Sequence, residues 1–205
     1  QKIMYLAADR FRKKGILDKF TVEFFTATPG LFGVPFFAKA LSKVVADYGI
    51  KTNFNTNLIA VDGKAKKATF EITDSEGKKK KINKKFDMIH VTPPQSAPEF
   101  IKQSPLANAA GWVDVHPKTL QHNKYSNIFG LGDATSTPNA KTAAAVRKQV
   151  PIVVDNILNL MSTKPVEEKY DGYGSCPLTT SLNTVMLAEF AYDGKVTPSF
   201  PLLDP

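Results

Sequence analysis

Apolar residues outline two helix-like segments in the first quarter of the chain. In residues 3–14 the side formed by Ile3, Tyr5, Leu6 and Phe11 predicts a helix, stopped by Gly15. In residues 34–48, Phe37, Ala40, Leu41, Val44, Val45 and Tyr48 share one helix face, and Gly49 ends the run. Thr21–Phe25, rich in β-formers, reads as a strand before the second helix, and Ile50–Phe54 reads as one after it. Strand, helix, strand is the crossover unit of a parallel sheet.

The pattern then changes to short segments. Residues 58–61, 68–73 and 80–83 predict three strands of an antiparallel meander, separated by glycine- and charge-rich turns. Phe86–Val91 reads as an apolar strand stopped by Thr92-Pro93-Pro94, returning to the parallel sheet. Residues 95–125 are irregular, and Asn127–Leu131 reads as a short buried strand. A third helix is expected from Lys141 to Met161, with apolar Val146, Ile152, Val153, Ile157, Leu158 and Met161, and with Pro151 kinking or splitting it. The last forty residues hold Pro177, Pro198, Pro201 and Pro205, which argue for loops and edge strands. No internal repeat is present.

Composition narrows the class. The chain has 205 residues, 42% hydrophobic and 22% charged, ordinary for a globular chain that buries a sizeable core. The net charge of +8 comes from scattered Lys and Arg. The densest run, Lys78–Lys81, follows the turn sequence Asp74-Ser75-Glu76-Gly77 and reads as a solvated hairpin tip. Aromatic residues do not alternate with basic ones, so base stacking and a nucleic-acid partner are not expected. One cysteine, Cys176, excludes an internal disulfide framework. The sequence holds no run of about 20 apolar residues for a membrane span, and no signal or transit peptide. The first residue is Gln1 and the last Pro205, and both ends are expected to be cuts in a longer protein.

Two places carry candidate chemistry. Gly132, Asp133 and Ala134 follow the predicted strand 127–131, and Lys141, Thr142 and Ala143 open the third helix. Ligands of open α/β sheets sit beyond the carboxyl ends of strands. Gly132 lets a ligand approach the backbone, Asp133 can accept hydrogen bonds from sugar-like hydroxyls, and a helix start offers unpaired N–H groups and partial positive charge. Gly-Asp is also a common turn pair. Dipole logic disfavours a lysine in a helix's first turn, so Lys141 there conflicts with local preference, as functional residues do. Cys176 is the second place, by chemistry alone either a small buried hydrophobe or a reactive thiol. His90, His116 and His122 lack metal-ligand spacing. His90 is expected in the core, and Trp112 as a core anchor. Asp114, His116 and Ser126 form no hydrolase triad, because a Gly-x-Ser-x-Gly elbow is missing.

The strand-Gly-Asp-Ala-helix unit resembles the second flavin-contact motif of the two-dinucleotide-domain flavoproteins, the disulfide reductase superfamily. Ile89-His90-Val91-Thr92-Pro93-Pro94, Ala109–Val115, Lys141–Val146 and Tyr170–Pro177 resemble, in the same order, the mitochondrial-type sulfide:quinone oxidoreductases. The resemblance covers nearly the whole chain, and the Cys176 and Thr-Pro-Pro stretches are its most specific parts. It implies an α/β class: the C-terminal part of a two-dinucleotide-binding-domain flavoprotein fold, a parallel sheet with crossover helices plus a small antiparallel meander. Residues 1–95 would be the distal part of a middle domain like a nicotinamide domain, 96–163 a linker and the C-terminal segment of the FAD domain, and 164–205 a quinone-facing region with the redox cysteine.

The resemblance also implies roles. Gly132 and Ala134 would flank Asp133, which would bond the ribityl chain of FAD. Lys141, Thr142 and Ala143 would lie near the pyrimidine edge of the flavin. Cys176 would be one of two redox cysteines, its partner lying before Gln1. Sulfide would attack a disulfide or sulfur-bridged pair, giving a persulfide and a thiolate, with electrons passing through FAD to ubiquinone and sulfur to an acceptor. The Gly-x-Gly-x-x-Gly loop for the pyrophosphate is not in this sequence, so the chain alone is expected to be inactive, to bind FAD weakly or not at all, and to need a preceding FAD-domain segment. The implied location is mitochondrial, peripheral on the inner-membrane surface. Two alternatives stay open: a type II NADH:quinone reductase-like flavoprotein, which has no use for Cys176, and a basic module without enzymatic activity that binds membrane or nucleic acid.

Overall fold

The computed structural model describes residues 1–200. The chain divides into two compact units. The first holds Gln1–Thr92 and Leu178–Met186; the second holds Pro93–Pro177 and residues 187–200.

In the first unit, α1 (Lys2–Lys13) is followed by β1 (Glu23–Phe25), α2 (Pro35–Tyr48) and β2 (Lys51–Asn53). β1 and β2 pair in parallel, Glu23 with Lys51 and Phe25 with Asn53, so β1-α2-β2 is the predicted crossover. The helix ends follow from backbone chemistry. Pro35 stands in the first turn of α2, where its missing N–H costs nothing, and Gly49 closes the helix at φ +67°, a conformation that L side chains resist. Met4, Tyr5 and Ala8 of α1 and Phe37, Leu41, Val45 and Tyr48 of α2 form the buried faces. The meander comprises β3 (Thr56–Asp62), β4 (Lys67–Thr73) and β5 (Lys79–Lys85), all antiparallel, with a register shift between Leu58 and Ala60. The Lys78–Lys81 run starts at the turn beside β5, and Asp74 Oδ1 accepts from the N–H groups of Glu76 and Lys78 there.

The expected strand Phe86–Val91 does not form. Met88 is 77% exposed, Val91 44%, and His90 is exposed rather than in the core. A fully apolar strand needs neighbours on both sides. The parallel sheet of this unit has two strands, and neither pairs with this segment.

The second unit contains the short α3 (Glu99–Lys102), α4 (Ala143–Met161), the first part of β6 (Gly174–Thr179) and the last part of β7 (Val185–Phe190). β6 and β7 form a two-stranded sheet. The strand expected at Asn127–Leu131 is reduced to an isolated bridge, Phe129 opposite Gln121, because residues 120–122 are its one pairing segment among the described residues. α4 runs through Pro151 as one helix. The expectation for Pro201 and Pro205 lies outside the described residues.

Candidate functional site

The second unit brings three segments together: the loop after Phe129, the start of α4, and the start of β6. Gly130 is packed tightly. A Cβ there would stand 3.0 Å from the Thr135 methyl and 3.1 Å from Val115. Gly132 takes φ +75°, in the left-handed region, and opens the 3-10 turn Gly132–Ala134. Its N–H donates to Oε1 of Gln149, 2.7 Å away on α4, and its carbonyl accepts from Thr135 Oγ1 at 3.0 Å. Gln149 and Thr135 are buried, so the turn is pinned from beneath. Asp133 and Ala134 complete it, with the Asp133 carboxylate exposed.

Thr142 is the N-cap of α4, and its hydroxyl accepts from the N–H of Ala145 at 3.2 Å. The N–H groups of Ala143 and Ala144 precede any intrahelical acceptor and open at the helix mouth. Lys141 therefore precedes the cap instead of standing in the first turn, which removes the dipole conflict raised by the sequence. Its ammonium donates to the Thr135 carbonyl at 2.7 Å and lies 3.9 Å from the centre of the Trp112 ring. Burial pulls the Lys141 ammonium below the usual lysine range, and the charge of Asp133 opposes that shift.

β6 starts beside the same helix mouth. A Cβ on buried Gly174 would meet Oγ1 of Thr142 at 3.7 Å and the Phe190 ring at 3.4 Å. Alternate residues of a strand share a side, so Cys176 follows Gly174 on that side about 7 Å further along. Cys176 is half-buried. Tyr170 ties the segments: its hydroxyl accepts from Asn139 at 2.6 Å and donates to the Tyr173 carbonyl at 2.8 Å. Gly132, Asp133, Ala134, Lys141, Thr142 and Ala143 are thus gathered around one helix start, and the strand that carries Cys176 begins on its cap.

A cluster that sequence reasoning missed flanks this start. Ala144, Arg147, Lys148, Pro151, Tyr173 and Ser199 line a cavity of about 390 Å³. Behind Tyr173 and Ser199, the buried carboxylate of Glu189 accepts from the Tyr173 hydroxyl, from Ser199 Oγ at 2.6 Å and from the Ser199 N–H at 2.8 Å. Burial pushes this carboxyl up, but the hydrogen bonds from Ser199 and Tyr173 and the charge of Lys148 hold it below its ordinary range. The one legible sign was a glutamate inside the apolar run Val185–Phe190.

The other candidates are structural. His122 is buried, with Nε2 3.0 Å from the Leu106 carbonyl and Nδ1 accepting from two backbone N–H groups. His116 lies 3.8 Å from Glu168 at the surface. Asp114 accepts from Asn123 at 2.8 Å. Among the described residues, His, Cys, Asp and Glu form no group that could hold a metal, and no helix is long and apolar enough to cross a membrane.

No family model matches the chain. A curated mouse protein, "Sulfide:quinone oxidoreductase, mitochondrial", is 46% identical over 98% of this chain and 44% of its own length, so the chain spans under half of that relative. Among solved structures, the sulfide:quinone oxidoreductase of the bacterium Aquifex aeolicus superposes with a TM-score of 0.69 over 92% of this chain and 50% of that one. At 21% identity this likeness shows the fold, and the α/β class with its partial flavoprotein architecture is the one expected. A chain in the cryo-EM structure of the Tetrahymena thermophila mitochondrial ATP synthase is 28% identical, with a TM-score of 0.78 over 94% of this chain and 47% of that one.

Proposed function

We propose that this chain is part of a protein of the sulfide:quinone oxidoreductase type, like the mouse protein that it resembles over 98% of its own length, and that it supplies the flavin-edge and thiol half of a sulfide-oxidising site. The observation that carries this reading is the placement of Gly174 against Thr142, which starts the cysteine strand on the cap of α4.

The residues present fit one end of a flavin dinucleotide. Gly132 opens the turn at φ +75°, the Asp133 carboxylate is exposed to meet hydroxyls, and the N–H groups of Ala143 and Ala144 with the Lys141 ammonium form a positive edge. The pyrophosphate end needs a glycine-rich loop that this sequence lacks. A flavin bound here would supply a two-electron acceptor for thiolate sulfur and a donor to quinone. The part of Cys176 is to hold sulfur. Hydrosulfide attacks a disulfide or sulfur-bridged pair that includes Cys176, one sulfur–sulfur bond breaks as another forms, and one cysteine leaves as thiolate. The partial positive charge at the start of α4 favours that anion over the thiol.

The substrates are then sulfide, a sulfur acceptor and a membrane-soluble quinone. The location is the mitochondrion, at the inner-membrane surface where such a quinone is reached. Cys176→Ser, made in the protein that carries this chain, tests the reading. Sulfide-dependent quinone reduction should fall to background while bound flavin is unchanged. Sulfide-dependent turnover that survives the substitution sinks it, and NADH-dependent turnover would point to a nicotinamide-linked quinone reductase instead.

A further inference from the structure

Trp112 has no role in the site described so far, yet the geometry of Lys141 depends on it. The Lys141 ammonium is held on two sides, by the Thr135 carbonyl at 2.7 Å and by the face of the Trp112 ring at 3.9 Å. Thr135 is fully buried, and its hydroxyl is bonded to the Gly132 carbonyl, so the acceptor belongs to the turn that presents Asp133. Trp112 is fixed through its own backbone, whose N–H donates to Asn108 Oδ1 at 3.1 Å and whose carbonyl accepts from the Asn108 N–H at 2.8 Å. Its neighbour Val113 pairs with the same turn: the Val113 N–H donates to the Ala134 carbonyl at 2.9 Å, and its carbonyl accepts from Ser136. The ring, the carbonyl and the cation are therefore registered to one another by a backbone bridge, not by chance contact of long side chains.

We propose that Trp112 is a positioning residue for Lys141: its indole face and the Thr135 carbonyl hold the ammonium at the mouth of α4, beside the Gly132–Ala134 turn. A free lysine side chain spreads its charge over many rotamers. A caged one presents a cation at a fixed point, so an anionic ligand at the helix mouth meets it without the entropy cost of ordering it. That consequence rests on the flavin reading above, but the caging does not.

Trp112 is the one tryptophan in the chain, so its emission reports on this contact directly. Fluorescence of the full chain is followed from pH 7 to 11, for the parent and for Lys141→Met. The parent should show a change with a midpoint below about 10.4, the ordinary lysine value, and Lys141→Met should lack it. In parallel, acetylation of each lysine by an amine-reactive ester at pH 8 is read by mass spectrometry. Trp112→Leu should speed labelling of Lys141 about two- to fivefold, the factor matching a cation–ring contact of about 0.5–1 kcal/mol. Trp112→Phe should keep most of the protection, and Lys118 and Lys148 should label as in the parent. Identical titration curves for parent and Lys141→Met, or unchanged Lys141 labelling in Trp112→Leu, would overturn the proposal. If Trp112→Leu speeds every lysine, the fold has loosened, and the titration, which needs no tryptophan variant, decides alone. Neither readout requires flavin, so failure of the flavin reading leaves both intact.

Discussion

Gly132 shows how one residue type can be demanded by backbone geometry before any ligand is considered. At φ +75° an alanine is strained by about 1–2 kcal/mol, and its Cβ would press on Val146 Cγ2 at 3.3 Å. Gly132→Ala should therefore lower the stability of the second unit by about 1–2 kcal/mol. Urea unfolding followed by Trp112 emission checks this, since Trp112 lies in the same unit. An unchanged midpoint would mean that the turn relaxes freely, and the strained loop would no longer be a rigid platform. The sequence showed Gly-Asp as a turn pair and Lys141 as a candidate cation. It could not show that Thr135 and Trp112 hold that cation, because the contact spans 29 positions and has no local pattern.

At the scale of elements, legibility followed the caps. α1 and α2 appear within a residue or so of their predicted spans because Gly15 and Gly49, at φ +65° and +67°, end them by backbone preference alone. The meander was legible from its turns. α4 was legible in span but not in orientation. Of the apolar positions that mark it, Val153 is buried and Val146 and Ile152 are half-buried, but Ile157, Leu158 and Met161 are exposed, while the other buried positions are Ala145, Gln149 and Asn156. Periodicity finds a face; it does not say which neighbour the face meets. The inward polar residues do the anchoring. Asn156, 1% exposed, donates to the carbonyls of Thr119 and Glu167 and accepts from the Glu167 N–H at 2.8 Å. Asn156→Ala orphans the buried carbonyl of Thr119 and frees two part-buried backbone groups of Glu167, and should cost about 1–3 kcal/mol, the penalty of one unsatisfied buried group. Leu158→Ala, on the exposed side, should stay within about 0.5 kcal/mol. Thermal melts of the two variants compare them, and equal losses would mean that the apolar side, not the polar one, anchors the helix. The strands expected at 86–91 and 127–131 failed for the same reason in reverse. Each has the composition of a buried strand, but a strand exists only where partners complete its ladder.

For the whole molecule, the question is how much of a binding site one such chain can hold. A dinucleotide is bound along its length, and contacts at one end gain little when the other end is unheld, because the cost of immobilising the ligand is paid in full either way. This chain offers the turn at Gly132–Ala134 and the start of α4, and its sequence contains no glycine-rich pyrophosphate loop. The chain also spans 44% of the length of its mouse relative. The purified 205-residue chain should therefore carry FAD at far below one per chain, read from absorbance near 450 nm after desalting. Adding free FAD should quench Trp112 only at high concentration, if at all. Near-stoichiometric flavin that survives desalting would contradict this division of labour. It would mean that the Lys141 edge and the Asp133 carboxylate suffice for tight binding, and a thiol placed as Cys176 is would then stand beside a complete cofactor site within a single chain.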